Sequence, residues 1–212
     1  MPAKNFDNKK HNAIIAAATR LFLKQGYSKT TMDQVAKDAN VTKQTVYSHF
    51  GDKDKLFSAM ITGQCKKHTP PDIMLGSDAP FEELMFKIGL GFLQMITSKE
   101  GLATTRLVMS EAERKPKLAE LFYKTGPQQM NKILTDFLEL QNKSGFLRIP
   151  NTESAASYFF SMLKGRYHLR MALKIKPLPT KKELEEHTRE TVRVFLKIYG
   201  GDSPLITNDI MS

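Results

Sequence analysis

Apolar residues recur at intervals of three and four along almost the whole chain of 212 residues, and this spacing predicts α-helices. Ile14, Ala18, Leu21 and Phe22 share one face of the first predicted helix, which spans 8–25. No run alternates apolar and polar residues as a half-buried strand does, and neither Asn-Gly nor Asp-Gly occurs as a hairpin turn. The sequence therefore predicts an all-α fold of about nine helices.

Capping patterns and turn residues place the helix boundaries. Thr31 and Gln34 are spaced as a capping box, and Gly26 and Gly51 stand where helices are expected to end. After the short helix that follows Thr31, helices are predicted at 43–50, 53–68, 80–97, 102–110, 117–124, 127–144, 152–174 and 180–199. The segment 69–79, which contains two adjacent prolines, is predicted to be a linker. The tail 201–212 has no helical pattern and is expected to be disordered.

Charge is unevenly distributed along the chain. The formal net charge is +10, and residues 1–68 alone carry twelve Lys and Arg against five Asp and Glu, a net +7. A basic segment of this kind favours a polyanionic partner, either a nucleic acid or an anionic membrane surface. The alternative is a solvated basic face with no partner.

Several classes of protein are disfavoured by composition. The longest stretch without an acidic or basic residue is Ile88–Ser98, which is too short to span a bilayer. The first residues lack the apolar run of a secretory signal, and a single cysteine, Cys65, excludes an internal disulfide. We therefore expect a cytoplasmic protein without metal or cofactor.

The segment 31–50 is the most informative part of the sequence. Two short helices separated by about three residues, the second polar on its outer side, are typical of a helix-turn-helix. Ala36 and Ala39 are small where the helices must approach, and Val41 and Val46 are expected to fill the gap between them. The second helix would enter the major groove of DNA while the first crosses the backbone.

The polar side chains of this segment have the chemistry for contacts to DNA. Gln44 can pair with adenine, Lys43 can contact guanine or a phosphate, and Thr45 can contact the thymine methyl group. The backbone N–H groups at Thr31 and Lys53, each at a helix N-terminus, are expected to bind phosphate. The predicted DNA-binding residues are Lys29, Thr31, Thr42, Lys43, Gln44, Thr45, Tyr47, Ser48, His49 and Lys53.

Residues 14–60 resemble the N-terminal domain of the TetR family of transcriptional regulators. The residues that carry the resemblance are Ala16-Ala17-Ala18, Leu21-Phe22, Gly26-Tyr27, Thr30-Thr31-Met32, Val35-Ala36, Ala39-Asn40-Val41, Thr45-Val46-Tyr47, His49-Phe50, Asp52-Lys53 and Leu56-Phe57. The resemblance implies a DNA-binding domain at 1–52 and a helical ligand-binding and dimerisation domain at 53–200.

The rest of the chain is similar to AefR-like regulators of the same family. The similarity lies in Met109–Arg114, Gly126-Pro127, Gly145-Phe146-Leu147 and Phe195–Gly200. It implies a homodimer joined by the last two long helices as a four-helix bundle. The side chains in excess of one internal face, which we assign to this interface, are Phe159, Phe160, Leu163, Leu184, Thr191, Phe195 and Ile198.

A ligand cavity is the further implication of the resemblance. Methionine is adaptable and is common in apolar pockets that accept varied ligands. The expected lining residues are Met60, Met85, Phe92, Met95, Met109, Met130, Phe137, Tyr167 and Met171. The alternative for each of them is an ordinary place in the core.

The function predicted from these features is a ligand-responsive, sequence-specific transcriptional regulator. The resemblance implies a repressor that a small apolar or amphipathic effector releases from a palindromic operator, with efflux or transport genes as targets. A transcriptional activator of the same fold is the alternative. An enzyme built on a helical bundle is disfavoured because the sequence contains no phosphate-binding glycine loop, His-Glu-x-x-His or Gly-x-Ser-x-Gly motif. A membrane-surface protein is disfavoured because the positive charge does not follow one helix face.

Overall fold

A computed structural model describes residues 3–68, 79–175 and 177–201, with side chains described from residue 8 onward. The α-helices are α1 (Ala3–Gln25), α2 (Met32–Asp38), α3 (Lys43–Phe50), α4 (Lys53–His68), α5 (Phe81–Thr97), α6 (Lys99–Glu111), α7 (Pro116–Tyr123), α8 (Gln129–Lys143), α9 (Thr152–Gly165), α10 (His168–Ala172) and α11 (Lys181–Tyr199). Within the described ranges, strand-type pairing is limited to one isolated bridge between Leu147 and Gly200. The all-α prediction is confirmed.

The chain divides into two compact units. Unit 1 contains the residues up to Gln64 and the segment Ala103–Gly126, and unit 2 contains Cys65–Leu102 and the residues from Pro127 onward. This packing division differs from the functional boundary expected between residues 52 and 53, because most of α4 and the segment Ala103–Gly126 pack with the first three helices. The functional boundary itself stays a prediction.

Unit 1 has an aromatic centre. Phe22 of α1 stacks on Tyr27 with ring centroids 5.4 Å apart, and both rings meet the edge of Phe57 of α4 at 5.6 and 5.4 Å. Phe22 and Phe57 are fully buried, and Tyr27 is nearly so. The first helix starts at Ala3 rather than at the expected residue 8, and it ends at Gln25, before Gly26, whose φ of +90° is easily reached only by glycine.

The predicted caps of the next helices are confirmed. Thr31 accepts the Gln34 N–H through its hydroxyl while the Gln34 side chain accepts the Thr31 N–H, which completes a capping box. The Thr42 hydroxyl accepts the Thr45 N–H at the start of α3. Helices α3 and α4 have the predicted bounds. These bounds could be predicted because the caps and Gly51 act on residues close to them in sequence.

Helices α7 and α8 are joined without the expected break. The segment Lys124–Gln128 forms a π-helical turn that contains Pro127, so the helical path continues from Pro116 to Lys143. Proline lacks the N–H that an α-helix interior needs, and the wider turn accommodates that missing donor. Gly126 is buried in this turn, where an added Cβ would lie 3.1 Å from Ile61.

The single helix predicted at 152–174 is wrong. The structure has α9 and α10 instead, separated by Arg166 and Tyr167. Tyr167 is buried in a second apolar cluster with Leu93, Leu102, Met171 and Leu184, and its ring meets His187 edge-on at 5.3 Å. Tyr167, at the break between the two helices, and Met171 of α10 both belong to this cluster.

Unit 2 is built on helices α5, α8, α9 and α11. Its main core cluster includes Met85, Ile88, Leu134, Phe159 and Phe195, all of which are fully buried. Gly89 of α5 permits close packing, because a Cβ there would lie 3.0 and 3.1 Å from side chains of Thr188 and Phe159. The last helix begins with a second capping box, formed by Thr180 and Glu183. None of the helices in the described ranges is long and apolar enough to cross a membrane.

Candidate nucleic-acid interface

The second helix of the predicted helix-turn-helix presents one apolar and one polar face. Val46 and Phe50, four residues apart, are buried in unit 1. Lys43, Gln44 and Tyr47 are exposed on the other side, as are Thr42 and Ser48, while Thr45 and His49 are half-buried. Because Val46 and Phe50 anchor the helix, the exposed side is held at the surface in one orientation. This arrangement has the polar outward face that major-groove binding needs.

The turn between α2 and α3 has a defined geometry. Asn40 adopts a left-handed conformation with φ +53°. The Val41 N–H donates to the Ala36 carbonyl at 3.0 Å and the Asn40 N–H donates to the Lys37 carbonyl at 3.2 Å, which is a Schellman motif. Asparagine is among the few residues that tolerate this conformation, so the sequence and the turn agree.

Lys43 is paired within the helix-turn-helix. Its ammonium lies 2.8 and 3.1 Å from the two carboxylate oxygens of Asp33 on α2, and both side chains are exposed. The hydrogen bond and the negative charge of Asp33 raise the pKa of Lys43. The same ammonium lies 5.8 Å from the centre of the Tyr47 ring. The predicted DNA contact of Lys43 would therefore have to replace the contact with Asp33.

The aliphatic hydroxyl groups at the start of α3 and along it are bonded within this segment. Thr42 and Thr45 share a hydrogen bond at 2.8 Å between their hydroxyl oxygens, and the Ser48 hydroxyl donates to the Thr45 carbonyl at 2.9 Å. The Gln44 side chain, in contrast, is exposed and makes no hydrogen bond with the residues that the structure describes. Gln44 is therefore the polar side chain with the most freedom to contact a base.

One of the two predicted phosphate donors, the Thr31 N–H, is bonded within the protein, and the side chain of Lys53 is bonded there as well. The Thr31 N–H donates to the Gln34 side chain at 2.9 Å, so a phosphate must displace that side chain to reach it, and the phosphate role of this N–H stays a prediction. The ammonium of Lys53 donates to the carbonyls of Tyr27 at 3.0 Å and Thr30 at 2.9 Å. Burial and the positive charge of Lys115 lower the pKa of Lys53. Lys29 is exposed, as expected.

Sequence reasoning missed a contact between α1 and α3. The His11 ring stacks on Phe50 with centroids 4.8 Å apart, and it lies 5.9 Å from the ring of His49. His11 of α1 therefore lies beside His49, a predicted DNA-binding residue of α3. The helical spacing of α1 places His11 on the face that carries Ile14 and Ala18. The sequence does not show that this face contacts α3.

The predicted ligand-binding residues are mainly core residues. Met85, Phe92, Met130 and Phe137 lie in the main cluster of unit 2, with Met95 packed against it, and Tyr167 and Met171 lie in the second cluster. Met60 is buried in unit 1. Met109 is 65% exposed, so its expected place in an internal cavity is wrong. The ligand role of the others stays a prediction.

Most of the predicted dimer residues are in the interior of one protomer. Phe159, Phe160, Leu163, Leu184, Thr191 and Phe195 are all buried within the single chain, and Ile198 is half-buried. Placing those six at a dimer surface is therefore wrong. Helices α9 and α11 pack on α5 and α8 through the faces that the sequence pattern assigned to a partner. Exposed large apolar side chains occur instead at Tyr158 of α9, at Leu169 of α10, and at Leu173, Ile175 and Leu178 between α10 and α11.

Comparison with known proteins agrees with this architecture. Residues 14–60 match the family model of bacterial regulatory proteins of the tetR family, and residues 83–201 match the C-terminal domain of AefR-like transcriptional repressors. The second match alone covers more than half of the chain. The protein belongs to the TetR family of transcriptional regulators.

Relatives of this TetR-family protein match along most of its length. YvkB of Bacillus subtilis, an uncharacterized helix-turn-helix transcriptional regulator, is 24% identical over 180 residues, which cover 82% of this chain and 91% of YvkB. The crystal structure of a TetR-family regulator from Mesorhizobium loti has a TM-score of 0.75 at 27% identity, covering 92% of this chain and 98% of the other. The flavonoid-responsive regulator FrrA has a TM-score of 0.68 at 30% identity, covering 92% and 99%.

Proposed function

We propose that this TetR-family regulator is a homodimeric repressor that binds a palindromic operator and leaves it when a small effector binds. The observation that carries the proposal is the face of α3 formed by Lys43, Gln44 and Tyr47, which is exposed while Val46 and Phe50 anchor the helix. A two-fold dimer would present two such helices about 34–36 Å apart to successive major grooves. Repression rather than activation is favoured by the match of residues 83–201 to AefR-like repressors.

Individual contacts follow from the side chains on that face. Gln44 is proposed to pair with adenine, and Tyr47, Ser48 and His49 to bind phosphates. Lys43 is proposed to exchange its contact with Asp33 for guanine or a phosphate. Thr42, Thr45 and Lys29 complete the DNA-binding set through their exposed or half-buried polar atoms. Lys53 is proposed to contribute to DNA binding indirectly, since its ammonium is bound to the turn between α1 and α2.

A second copy of the chain is proposed to pack on the outer face of α9. Tyr158, Ser161 and Gly165 recur on this face at three- and four-residue spacing and are exposed. Small residues at 161 and 165 allow another helix to approach, while Tyr158 of α9 and Leu169 of α10 offer apolar area, 58% and 65% exposed. Exposed apolar side chains grouped in this way are typical of a protein interface.

The effector is proposed to be a small apolar or amphipathic molecule. Support comes from the methionine-rich core of unit 2, which includes Met85 and Met130, and from the similarity to the flavonoid-responsive regulator FrrA. Such a molecule would act by binding better to the state that does not fit DNA, with a coupling of about 1–3 kcal/mol. Efflux or transport genes are the proposed targets, from the family resemblance alone.

The decisive experiment is the selection of bound duplexes from a random DNA pool, followed by titration of the selected duplex. We expect an inverted repeat with half-sites about one helical turn apart, and release when flavonoids or other amphipathic compounds are screened. Binding that shows no sequence preference and disappears as salt is raised would contradict the proposal, because phosphate contacts alone behave in this way. Stimulated transcription from a reporter carrying the selected duplex would favour the activator alternative.

A further inference from the structure

The turn between α1 and α2 (Gly26–Thr31) is held by the start of α4. The ammonium of Lys53 binds the carbonyl oxygens of Tyr27 and Thr30, and it lies 4.4 Å from the centre of the Tyr27 ring. The Tyr27 hydroxyl donates to the carboxylate of Asp54. The buried Thr30 hydroxyl donates back to the Gly26 carbonyl at 2.8 Å. These bonds leave the turn few alternative conformations.

The same turn is also held by the end of α6. The Ser28 hydroxyl donates to the Glu111 carboxylate at 2.9 Å, a bond between residues 83 positions apart in the chain. A Cβ added at Gly26 would lie 3.6 Å from the other oxygen of Glu111. Lys115, four residues after Glu111, places its ammonium 5.5 Å from the centre of the Tyr27 ring. All of these residues belong to unit 1.

Thr31 is both the last residue of this turn and the N-cap of α2. A displacement of the turn therefore moves the start of the helix-turn-helix directly. We infer that Glu111 is a positioning residue for DNA recognition: its bond to Ser28 fixes the turn from which α2 begins, and so the orientation of α2 and α3. This inference rests on the proposed function, because its consequence is measured as discrimination between DNA sequences.

The expected effect concerns specificity more than total binding. Bidentate contacts to base edges depend on the angle and depth of α3 in the groove, whereas contacts to phosphate carry no sequence information. Loss of the Ser28–Glu111 bond therefore lowers affinity for the selected duplex and leaves affinity for unrelated DNA nearly unchanged. Removal of the negative charge of Glu111 by itself has the opposite effect on affinity: it raises affinity for any DNA, whatever its sequence.

The test compares four variants and a matched control. Glu111→Ala and Ser28→Ala each remove the hydrogen bond, and their combination tests whether the two residues act through it. Glu111→Gln removes the charge but keeps an oxygen that accepts from Ser28. Glu113→Ala is the control, because the Glu113 side chain is exposed and makes no hydrogen bond or ion pair within the described part of the chain. Thermal unfolding of each variant shows whether it is folded.

We expect Glu111→Ala and Ser28→Ala each to reduce the ratio of specific to unrelated affinity by about fivefold, as the loss of a single hydrogen bond predicts. The double variant should lose no more than either single variant. Glu111→Gln and Glu113→Ala should retain the wild-type ratio. An unchanged ratio in Glu111→Ala, or an equal loss in Glu113→Ala, would overturn the inference.

Hydrogen exchange tests the positioning role without DNA. The Thr30 N–H donates to the Tyr27 carbonyl within the turn at 3.3 Å. It should exchange at least about threefold faster in Glu111→Ala than in the wild type, while Glu113→Ala leaves it unchanged. If the wild type prefers no DNA sequence, the proposed function fails, and the exchange rate at Thr30 still decides whether Glu111 holds the turn. Equal rates in Glu111→Ala and the wild type reject that role.

Discussion

The ammonium nitrogen of Lys43 lies 2.8 Å from a carboxylate oxygen of Asp33, so the first residue of α3 is paired with an acid on α2. Both side chains are exposed, and an exposed ion pair contributes little to folding. The pair matters more for binding, because Asp33 both occupies Lys43 and adds a negative charge beside the surface proposed to face DNA.

Asp33→Asn is expected to tighten DNA binding several-fold. Lys43 is then available to DNA, and the slope of log affinity against log salt becomes steeper by up to about one unit. Fluorescence anisotropy at several salt concentrations measures both quantities. Asp136→Asn is the control, since it breaks a similar exposed pair, to Lys132 at 2.8 Å, on α8 of unit 2. Unchanged or weaker binding of Asp33→Asn would contradict this account.

Gln44→Ala is expected to relax sequence preference at one position in each half-site. Loss of a bidentate pair with adenine corresponds to about 1–3 kcal/mol of discrimination at that base pair. The measurement is competition between the selected duplex and its single-base variants. Lys182→Ala, which removes an exposed lysine from α11, provides the comparison. A uniform weakening against every duplex would instead assign Gln44 to the DNA backbone.

Asn40→Val is expected to destabilise the protein by about 1–2 kcal/mol, because a β-branched residue is strained at the observed φ of +53°. Asn40→Gly should change stability by less than about half of that amount, since glycine adopts this conformation without strain. Chemical denaturation followed by circular dichroism measures the difference. Equal stability of the two variants would mean that the turn rearranges to relieve the strain.

The start of α11 is expected to be sensitive to acid. Hydrogen bonds from the backbone N–H and the hydroxyl of Thr180 lower the pKa of Glu183. A carboxyl with a lowered folded-state pKa stabilises the fold above its usual pKa, and that contribution disappears as the pH falls through the folded-state pKa. The melting temperature of the wild type should exceed that of Glu183→Gln at pH 7, and the gap should close below about pH 4. A gap that is constant with pH would rule out this contribution.

Leu169→Asp with Leu173→Asp is expected to shift the protein from dimer to monomer. These side chains are 65% and 62% exposed, so charges there are tolerated in the single chain but not in an apolar interface. Light scattering coupled to size-exclusion chromatography measures the mass. Leu140→Asp is the matched control, because Leu140 is 58% exposed on α8, a helix that has no residue in the proposed contact. A double variant that remains dimeric would place the interface elsewhere.

Local chemistry made much of the helix-turn-helix predictable. The Thr31–Gln34 box, the Thr42 cap and the glycine at 51 each act within a few residues of one another, so their effect can be inferred from sequence alone. The role of Lys53 could not be inferred, because its partners Tyr27 and Thr30 are more than twenty residues away. The same limit applies to Glu111 and to the stacking of His11 on Phe50.

The errors in unit 2 have a related cause. An apolar stripe shows that a helix face is covered, but it does not show whether the same chain or a second chain covers it. Phe159 and Phe195 pack against each other, with ring centroids 5.5 Å apart, inside one protomer. Likewise, Pro127 indicates the loss of one backbone donor, and the sequence does not show that a π-helical turn can absorb it.

The hydroxyl bonds of Thr42, Thr45 and Ser48 have a thermodynamic consequence for recognition. Their rotamers are restricted when α3 folds, so a duplex that docks on this helix freezes few of them anew. The entropy lost on docking is then concentrated in longer side chains such as Gln44 and Lys43. Calorimetry of DNA binding by single-substitution variants should find the larger changes in binding entropy at Gln44 and Lys43. At Thr42, Thr45 and Ser48 the change should be mainly in the binding enthalpy.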